Sequence, residues 1–243
     1  MSELKKVVVT GATSGIGLAL VEALLASDRQ ILAIGRNQDV LARLSTNGAV
    51  QTLQADVREL ETILPEIEAF CPDVLINNAG IGHGIDGLDG ISDSRIQEAM
   101  DVNVTAPIKI TAAVVTGMKQ RSKGHIINIG SIAGLHTLYS ALYGATKSAI
   151  HLFSQNLRAE LSGTSIRVTE ICPGRVSTGF FQAADGDKER LQALGQSGIN
   201  ELMPEDIART VLFALDSPAH MNISTIEVLP TDQAVGGMKM NKT

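Results

Sequence analysis

The sequence has few cysteines and no long apolar run, and both absences exclude classes of protein. Cys71 and Cys172 are the only cysteines, and their wide separation matches no metal-binding or redox spacing. We therefore expect two buried, reduced thiols in a cytoplasmic protein, and no metal site. The first apolar run, Val7–Val9, is too short for a secretion signal, and no run approaches the roughly 18 residues of a membrane span, so no membrane partner is predicted.

An excess of positive charge is also absent. The chain has 20 Lys and Arg residues against 26 Asp and Glu residues, which gives a net charge of −6. A general nucleic-acid binder needs a basic surface to neutralise phosphates, so we predict no nucleic-acid partner, although one local basic pocket could still hold a small anion. Hydrophobic residues (44%) and charged residues (19%) are near the average for a soluble globular protein, and 243 residues suffice to bury a full core.

The chain alternates short Val/Ile-rich runs with longer helix-like stretches. The runs are Val7–Val9, Ile31–Ile34, Val50–Leu53, Val74–Ile76, Ile126–Ile129, Ile166–Ile171 and Ile226–Leu229. The helix-like stretches are Ile16–Ala26, Asp39–Ser45, Glu59–Phe70, Ser94–Arg121, Leu142–Leu161 and Pro204–Leu215. Because several runs lack polar alternation, they fit strands covered on both faces. No repeat or linker divides the chain, so the sequence predicts one α/β domain over residues 1–243, with a doubly wound parallel sheet that binds ligands at the carboxyl ends of its strands.

The first predicted strand runs into a glycine-rich turn that leads to the first helix. Its glycines, Gly11, Gly15 and Gly17, follow the pattern G-x-x-x-G-x-G. Gly11 allows a tight turn, while Gly15 and Gly17 allow close approach of phosphate to backbone and of helix to strand. Because the free N–H groups at a helix N-terminus bind anions, we interpret the turn as a pyrophosphate site; the alternative is a plain strand–helix turn.

The end of the second predicted strand indicates which dinucleotide is bound. An Asp or Glu here usually holds the ribose hydroxyls of NAD, whereas an Arg suits the 2′-phosphate of NADP. The strand ends in Gly35-Arg36-Asn37, and the nearest acids, Asp28 and Asp39, flank the strand. The planar, cationic guanidinium of Arg36 favours NADP. The alternative is a solvated arginine at a helix start.

A tyrosine and a lysine four residues apart, Tyr143 and Lys147, begin a predicted helix after the fifth strand. This spacing places both side chains on one helix face. A phenol has a pKa of about 10, and we expect the ammonium of Lys147 to lower it, which would make an acid–base pair; the alternative is an ordinary helix pair. Ser131, at the end of the adjacent strand, could hydrogen-bond the same substrate oxygen. The other tyrosine, Tyr139, has no lysine four residues on.

Taken together, these features resemble the single-domain short-chain dehydrogenase/reductase family over essentially the whole chain. Ser131 lies twelve residues before Tyr143, which is the spacing of that family. The segments that carry the resemblance are Thr10–Gly17, Asn77–Gly80, Asn103, Ser131, Tyr143, Lys147 and Pro173-Gly174. The resemblance implies a Rossmann sheet of about seven strands, an oxidoreductase with NADP as cofactor, a small-molecule substrate, and a homo-dimer or homo-tetramer paired through helices 94–121 and 142–161.

The resemblance also implies a role for individual residues. Tyr143 is the general acid/base, Lys147 lowers its pKa and holds the nicotinamide ribose, Ser131 orients the substrate carbonyl, and Asn103 supports a water in a proton relay. The implied cofactor contacts are Gly11, Thr13, Ser14, Gly15, Ile16, Gly17, Arg36, Asn37, Asp56, Val57, Asn78, Ala79, Gly80, Tyr143, Lys147, Pro173, Gly174, Val176 and Thr178. For some polar residues a structural role is expected or stays open: Asp56 could cap a helix, Asn77 more often ties strands together, and His83, His125, His151 and His220 show no functional spacing.

Pro107 lies four residues after Asn103, within the long predicted helix Ser94–Arg121. Because proline has no N–H, the carbonyl of Asn103 loses its helical partner. We expect a kink at an exposed proline and a free carbonyl that could bind the relay water. The alternative is a plain break between two helices.

The second half of the chain resembles NADP-dependent dehydrogenases of small 3-hydroxy acids, including serine, in segments 124–131, 143–147 and 218–223. Reduction of bulkier ketones or 3-oxoacyl substrates remains the alternative. A non-catalytic NADP-binding regulator would be expected to have lost Ser131, Tyr143 or Lys147. We expect substrate choice to lie in Leu135, His136 and a mobile lid at residues 178–199. Arg175 could hold a substrate carboxylate or serve only its loop.

Overall fold

The computed structural model describes residues 4–138, 140–184 and 186–234. Outside these ranges lie the two ends of the predicted domain, Tyr139, and Asp185 of the predicted lid. The strands are β1 (Lys6–Thr10), β2 (Gln30–Gly35), β3 (Val50–Gln54), β4 (Val74–Asn77), β5 (Gly124–Ile129), β6 (Ile166–Pro173) and β7 (Thr225–Val228). They form one parallel sheet in the order β3-β2-β1-β4-β5-β6-β7, so the predicted Rossmann-type α/β fold is confirmed.

The helices cover both faces of the sheet. They are α1 (Gly15–Ala26), α2 (Gln38–Leu44), α3 (Leu60–Phe70), α4 (Asp93–Met100), α5 (Ala106–Gln120), α6 (Ile132–Leu135), α7 (Ala141–Glu160), α8 (Phe180–Ala183), α9 (Lys188–Gly195) and α10 (Pro204–Asp216). Helices α6, α8 and α9 have no counterpart in the sequence prediction, because four to eight residues carry too little hydrophobic periodicity to indicate a helix. None of the helices in the described part of the chain is long and apolar enough to cross a bilayer.

Alternate residues of β1 show how the sheet is buried on both faces. Val7 and Val9 belong to an apolar cluster with residues of α1 and α10, whereas Val8 belongs to a cluster with residues of α3, α5 and α7. All three valines are completely buried. Burial of each such side chain contributes on the order of 1.5–3 kcal/mol. The strand interiors therefore serve stability, and the ends of the strands are left for chemistry.

The long helix predicted over residues 94–121 is wrong in one respect. Between α4 and α5 the backbone forms a π-turn at Asp101–Thr105, in which Ala106 donates its N–H to the carbonyl of Asp101. Pro107 lies in the first turn of α5, where its missing N–H disturbs the helix least, and it is buried rather than exposed as predicted. The interruption that Pro107 indicated thus takes the form of a π-turn, a feature often found at functional sites.

One cysteine also departs from expectation. Cys172 is buried in β6 as predicted, but Cys71 is exposed at the end of α3. Its φ of 53° lies in the left-handed region that ends helices.

Candidate active site

The glycine-rich turn after β1 has the geometry predicted for an anion-binding loop. Gly11 and Gly15 have φ values of 66° and 46°, which glycine adopts without strain. A Cβ on Gly17 would lie 2.0 Å from the carbonyl oxygen of Gly11, so the close packing of α1 on the turn requires glycine. Within the described residues, the N-cap of α1, Ser14, makes no side-chain capping bond, so the first N–H groups of α1 remain available to phosphate.

Asn78, at the end of β4, holds this turn in place. Its Nδ2 donates to the carbonyl oxygens of Thr10 (2.9 Å) and Gly11 (3.2 Å), and its N–H donates to Oγ1 of Thr10 (3.1 Å). The side-chain amide of Asn78, one of the implied cofactor contacts, is therefore already bonded to the backbone of the turn. Asn77 ties strands together as expected, because its Nδ2 donates to Asn128 Oδ1 at 2.9 Å and to Thr111 Oγ1 at 3.0 Å.

A cavity of about 450 Å³ runs from the glycine turn along the carboxyl edge of the sheet. Most of the predicted site residues line it: Gly11, Thr13, Ser14, Gly15, Ile16, Arg36, Asp56, Val57, Asn78, Ala79, Gly80, Ser131, Tyr143, Lys147, Pro173, Gly174, Val176 and Thr178. Three other predicted site residues do not line the cavity. Gly17 packs on the turn, Asn37 caps α2 by accepting the N–H of Val40 (3.1 Å), and Asn103 anchors the π-turn. The cavity thus has the glycine-rich turn at one end and Ser131, Tyr143 and Lys147 at the other, an arrangement that fits a bound dinucleotide.

The cavity end beside β2 carries exposed charge. Nη1 of Arg36 lies 3.7 Å from Oδ2 of Asp56, and the Arg36 side chain is 70% exposed. Asp56 is held more closely by Arg58, whose Nε lies 2.8 Å from Oδ1, and this hydrogen bond lowers the pKa of the Asp56 carboxyl. Arg58 also pairs with Glu98 at 3.1 Å. The guanidinium groups of Arg36 and Arg58 thus share the carboxylate of Asp56. No motif in the sequence pointed to Arg58.

At the opposite end, Tyr143 and Lys147 share one face of α7 as predicted. Nζ of Lys147 lies 5.9 Å from the centroid of the Tyr143 ring and donates to the carbonyl of Ile129 at 2.9 Å. Burial lowers the pKa of Lys147 to about 8, which Cys172 and Glu170 nearby partly oppose.

The lowered pKa expected for Tyr143 is not found. Burial raises the pKa of Tyr143 to about 12, and a hydrogen bond from Ser131 opposes this only in part. The ring of Phe180 packs on Tyr143 at 5.4 Å between centroids, while the ammonium of Lys147 is directed to Ile129, so desolvation outweighs the charge effect that the spacing suggested.

The side chain of Asn103 joins three elements at the π-turn. Its Oδ1 accepts the N–H of Ile81 (2.8 Å), and its Nδ2 donates to the carbonyl of Ile81 (2.9 Å) and to Oγ1 of Thr146 (3.1 Å). These bonds fix the loop after β4 against α7, close to Lys147. Pro107 supplies no N–H at the fourth position after Asn103, so the main-chain carbonyl of Asn103 has no donor from that position.

Behind Tyr143 and Lys147 lies a polar cluster that sequence spacing did not reveal. His151 follows Lys147 by one turn of α7, and its Nδ1 lies 2.6 Å from Oε2 of the buried Glu170. Ligand atoms of His151, Glu170 and Cys172 lie within 4.8 Å of one another. This N, O and S set suits a transition metal, but the ammonium of Lys147 nearby opposes a cation, and burial raises the pKa of the Cys172 thiol. We interpret His151 and Glu170 of this cluster as a hydrogen-bonded pair in which the carboxylate of Glu170 places negative charge behind Lys147.

The other histidines fit structural roles. His83 contacts Glu98 at 3.0 Å, the buried His125 contacts Thr169 at 2.8 Å, and His220 is exposed. His136, predicted to influence substrate choice, contacts Glu227 of β7 at 2.7 Å.

The predicted lid forms one wall of the cavity through α8 and the end of α9. Phe180, Phe181 and Leu194 line it there, beside Arg175. Sequence reasoning missed further lining residues from the loop after β4, the loop before α7 and the chain after β7: Ile81, Gly82, Ile85, Leu138 and Gln233. For Gln233 no motif could have served as a signal, because only the fold brings the end of the chain to Gly174, where Gln233 Oε1 accepts the N–H of Arg175 at 2.8 Å.

Comparison with known proteins finds similarity over the whole chain. Residues 5–189 match the sequence profile of the family described as short chain dehydrogenase. An uncharacterized short-chain type dehydrogenase/reductase of Sinorhizobium fredii is 36% identical over 100% of this chain and 98% of its own length. An NADP-dependent 3-hydroxy acid dehydrogenase of Escherichia coli K12 is 35% identical over 97% of this chain and 99% of its own. The closed form of a serine dehydrogenase complexed with NADP+ is 34% identical, with a TM-score of 0.88, 98% of this chain covered and 100% of the other.

Proposed function

The chain belongs to the short-chain dehydrogenase/reductase family and is an NADP-dependent oxidoreductase; from this premise we propose that it interconverts small 3-hydroxy acids, such as serine or 3-hydroxyisobutyrate, with the corresponding 3-oxo acids. The similarity to 3-hydroxy acid and serine dehydrogenases along nearly the full length of both chains carries this proposal. The ring of Phe180 in α8 packs on Tyr143 at 5.4 Å between centroids and so occupies space beside the phenol, which supports a small substrate.

When bound, NADP would supply hydride chemistry: the oxidised cofactor accepts a hydride from the alcohol, and the reduced cofactor donates one to the carbonyl. In the proposed mechanism Ser131 hydrogen-bonds the substrate oxygen and holds it beside Tyr143. The Tyr143 hydroxyl gives its proton to that oxygen during reduction, and the phenolate takes it back during oxidation. A Tyr143 pKa of about 12 suits the acid form, which stays protonated at neutral pH.

Lys147 has two proposed tasks. Its ammonium holds the nicotinamide ribose, and its charge favours the phenolate when Tyr143 loses its proton. Asn103 keeps the π-turn against Ile81, so that its main-chain carbonyl can hold a water that passes the proton to solvent. Arg36 is proposed to bind the 2′-phosphate of NADP through charge-assisted hydrogen bonds.

A substrate screen tests the proposal. NADP reduction should be followed with serine, 3-hydroxyisobutyrate and other short 3-hydroxy acids, and NADPH oxidation with semialdehydes and general ketones. The proposal requires kcat/KM for short 3-hydroxy acids to exceed that for neutral alcohols. A preference for bulky ketones or 3-oxoacyl compounds would contradict it.

We also propose a homo-oligomer in the cytoplasm, paired through α5 and α7. Leu152 of α7 is 57% exposed, so α7 presents an apolar side chain that pairing of two subunits would cover. On the same helix Leu157 belongs to the core, whereas Ala145 is exposed. Light scattering of wild type and Leu152→Glu tests the pairing: the variant should dissociate if α7 is the interface.

A further inference from the structure

The substrate end of the cavity contains a cation that the proposed mechanism does not use. Among the described residues that line the cavity, the positively charged ones are Arg36, Lys147 and Arg175. Arg36 lies at the ribose end beside Asp56, and Lys147 donates to the carbonyl of Ile129. Arg175 lies on the lid side, and a guanidinium there is the group that an anionic substrate would meet.

The guanidinium of Arg175 is buried and fixed, yet only part of it is hydrogen-bonded. Arg175 is 7% exposed. Its Nε donates to Oε1 of Glu201 at 3.0 Å, and its Nη2 donates to the carbonyl of Leu194. No hydrogen bond or ion pair to Nη1 is formed within residues 4–138, 140–184 and 186–234. Nη1 is not among the fully enclosed unpaired nitrogens of these residues, so it keeps accessible surface through which an acceptor in the cavity can reach it.

Two consecutive aromatic residues of α8 link Arg175 to the reactive phenol. Phe181 stacks on the guanidinium at 4.4 Å, and its neighbour Phe180 packs on Tyr143 at 5.4 Å. The ring centroids of Phe180 and Phe181 are 5.6 Å apart. The single turn of α8 therefore covers both Tyr143, which would transfer the proton, and the guanidinium of Arg175.

Strand register places Arg175 at the same edge of the sheet as the catalytic serine. Ile129 of β5 pairs with Ile171 of β6, so Ser131 is level with Pro173, two residues before Arg175. Two residues at about 3.3 Å each separate Ser131 and Arg175 along the strand direction, a distance that a short substrate molecule can span.

We propose that Nη1 of Arg175 binds the carboxylate of the substrate, which fixes the acid end while the hydroxyl lies against Ser131 and Tyr143. Glu201, the carbonyl of Leu194 and the face of Phe181 hold the guanidinium so that one N–H edge remains for the ligand. This inference rests on the proposed 3-hydroxy acid specificity and assigns its recognition to one residue. The alternative is that Arg175 only anchors the lid.

The test compares an acid with its neutral ester. The kcat/KM values for 3-hydroxybutyrate and methyl 3-hydroxybutyrate should be measured with NADP for wild type, Arg175→Met and Arg190→Met. Both variants replace a guanidinium by an apolar stem, but Arg190 is exposed on α9 and is not among the residues that line the cavity. Loss of one charge-assisted hydrogen bond is expected to lower the acid-to-ester ratio of kcat/KM about tenfold to a hundredfold in Arg175→Met, mainly through KM. The ratio should change less than about threefold in Arg190→Met.

A binding measurement makes the test independent of turnover. Malonate should bind the NADP complex of the wild type and compete with substrate, and Arg175→Met should weaken this binding by a similar factor. If Arg175→Met lowers kcat/KM for acid and ester equally and leaves malonate binding unchanged, Arg175 is a lid anchor and the inference is wrong. If the wild type prefers the ester but malonate binding still depends on Arg175, the proposed substrate class fails while the carboxylate site stands. Should Arg175→Met not fold, Arg175→Gln, which removes the charge but keeps a polar side chain, supplies the same comparison.

Discussion

The two ends of the cavity hold their charges in opposite ways. At the catalytic end, Lys147 is 6% exposed and Asn103 is 2% exposed, and both have backbone partners at 2.8–2.9 Å. At the ribose end, Arg36 is 70% exposed, and its partner Asp56 lies 3.7 Å away. The first end is a hydrogen-bonded arrangement of desolvated groups, and the second is a looser pair whose arginine is solvated.

This difference predicts which property each end controls. Buried groups cannot relax after substitution, so changes there should affect the rate of the chemical step by orders of magnitude. Exposed charges act through a screened interaction, so changes at the ribose end should affect the affinity for and choice of cofactor, in a manner that depends on salt. Four experiments can sharpen or break this contrast.

The largest effect is expected at Tyr143. Tyr143→Phe keeps the ring that packs on Phe180 but removes the proton carrier, so turnover should fall about 10²–10⁴-fold while the affinity for NADPH changes little. Steady-state rates and a fluorescence titration with NADPH measure the two quantities. Lys147→Ala is the matched comparison, because it should reduce both turnover and cofactor affinity. A near-normal rate in Tyr143→Phe would mean that another group supplies the proton.

A smaller effect is expected at Arg36. Arg36→Asp should lower kcat/KM with NADP about tenfold to a hundredfold, since charge-assisted hydrogen bonds contribute about 1.5–3 kcal/mol each, and should shift preference toward NAD. The preference of the wild type should weaken as salt rises, because Arg36 is exposed. Arg43→Asp makes the same charge change at an exposed position of α2 and should have little effect. Equal efficiency of the wild type with both cofactors would remove the basis of the contrast.

The contrast also separates what the sequence predicts from what it does not. Val7–Val9 and Ile166–Ile171 predict strands because continuous apolar runs suit a sheet covered on both faces. The spacing of Tyr143 and Lys147 predicts a shared helix face, since helical geometry is local. The pKa of Tyr143 is not predictable in this way, because it depends on Phe180, which reaches the ring from a distant part of the chain. The pairing of His151 with Glu170 has the same cause: it joins a helix to a strand.

The pH dependence of the catalytic end tests the cluster behind Lys147. Lys147 loses its proton as pH rises through its pKa of about 8, so its role in holding the ribose should decline above that pH. The carboxylate of Glu170 raises this pKa against the stronger effect of burial, and Glu170→Gln should therefore move the fall in kcat/KM for NADPH to lower pH. His151 and Cys172 also face this carboxylate, so the shift is a property of the cluster.

A matched control for that shift is available in the next strand. Glu227→Gln removes an acid of β7 that pairs with His136 and should leave the midpoint of the profile in place. An equal shift in both variants would show that net charge, and not the position of Glu170 behind Lys147, sets the profile.

The smallest effect is expected at Pro107, although it lies next to the catalytic end. Pro107 is buried in the first turn of α5, so Pro107→Ala removes about two carbon atoms from a packed site and should lower the free energy of unfolding by about 1 kcal/mol. The new N–H could pair with the carbonyl of Asn103 and draw the π-turn toward an α-helix. Two side-chain bonds from Asn103 to Ile81 oppose this, so the π-turn should persist and the rate and its solvent isotope effect should stay near wild type. Asn103→Ala breaks those bonds and should slow turnover far more than Pro107→Ala, and it should also lower thermal stability more, because Ile81 and Thr146 lose their partner. A slow, stable Pro107→Ala enzyme with an enlarged solvent isotope effect would instead show that the missing N–H keeps the Asn103 carbonyl free for proton relay, and that part of the catalytic end depends on one absent donor rather than on fixed bonds.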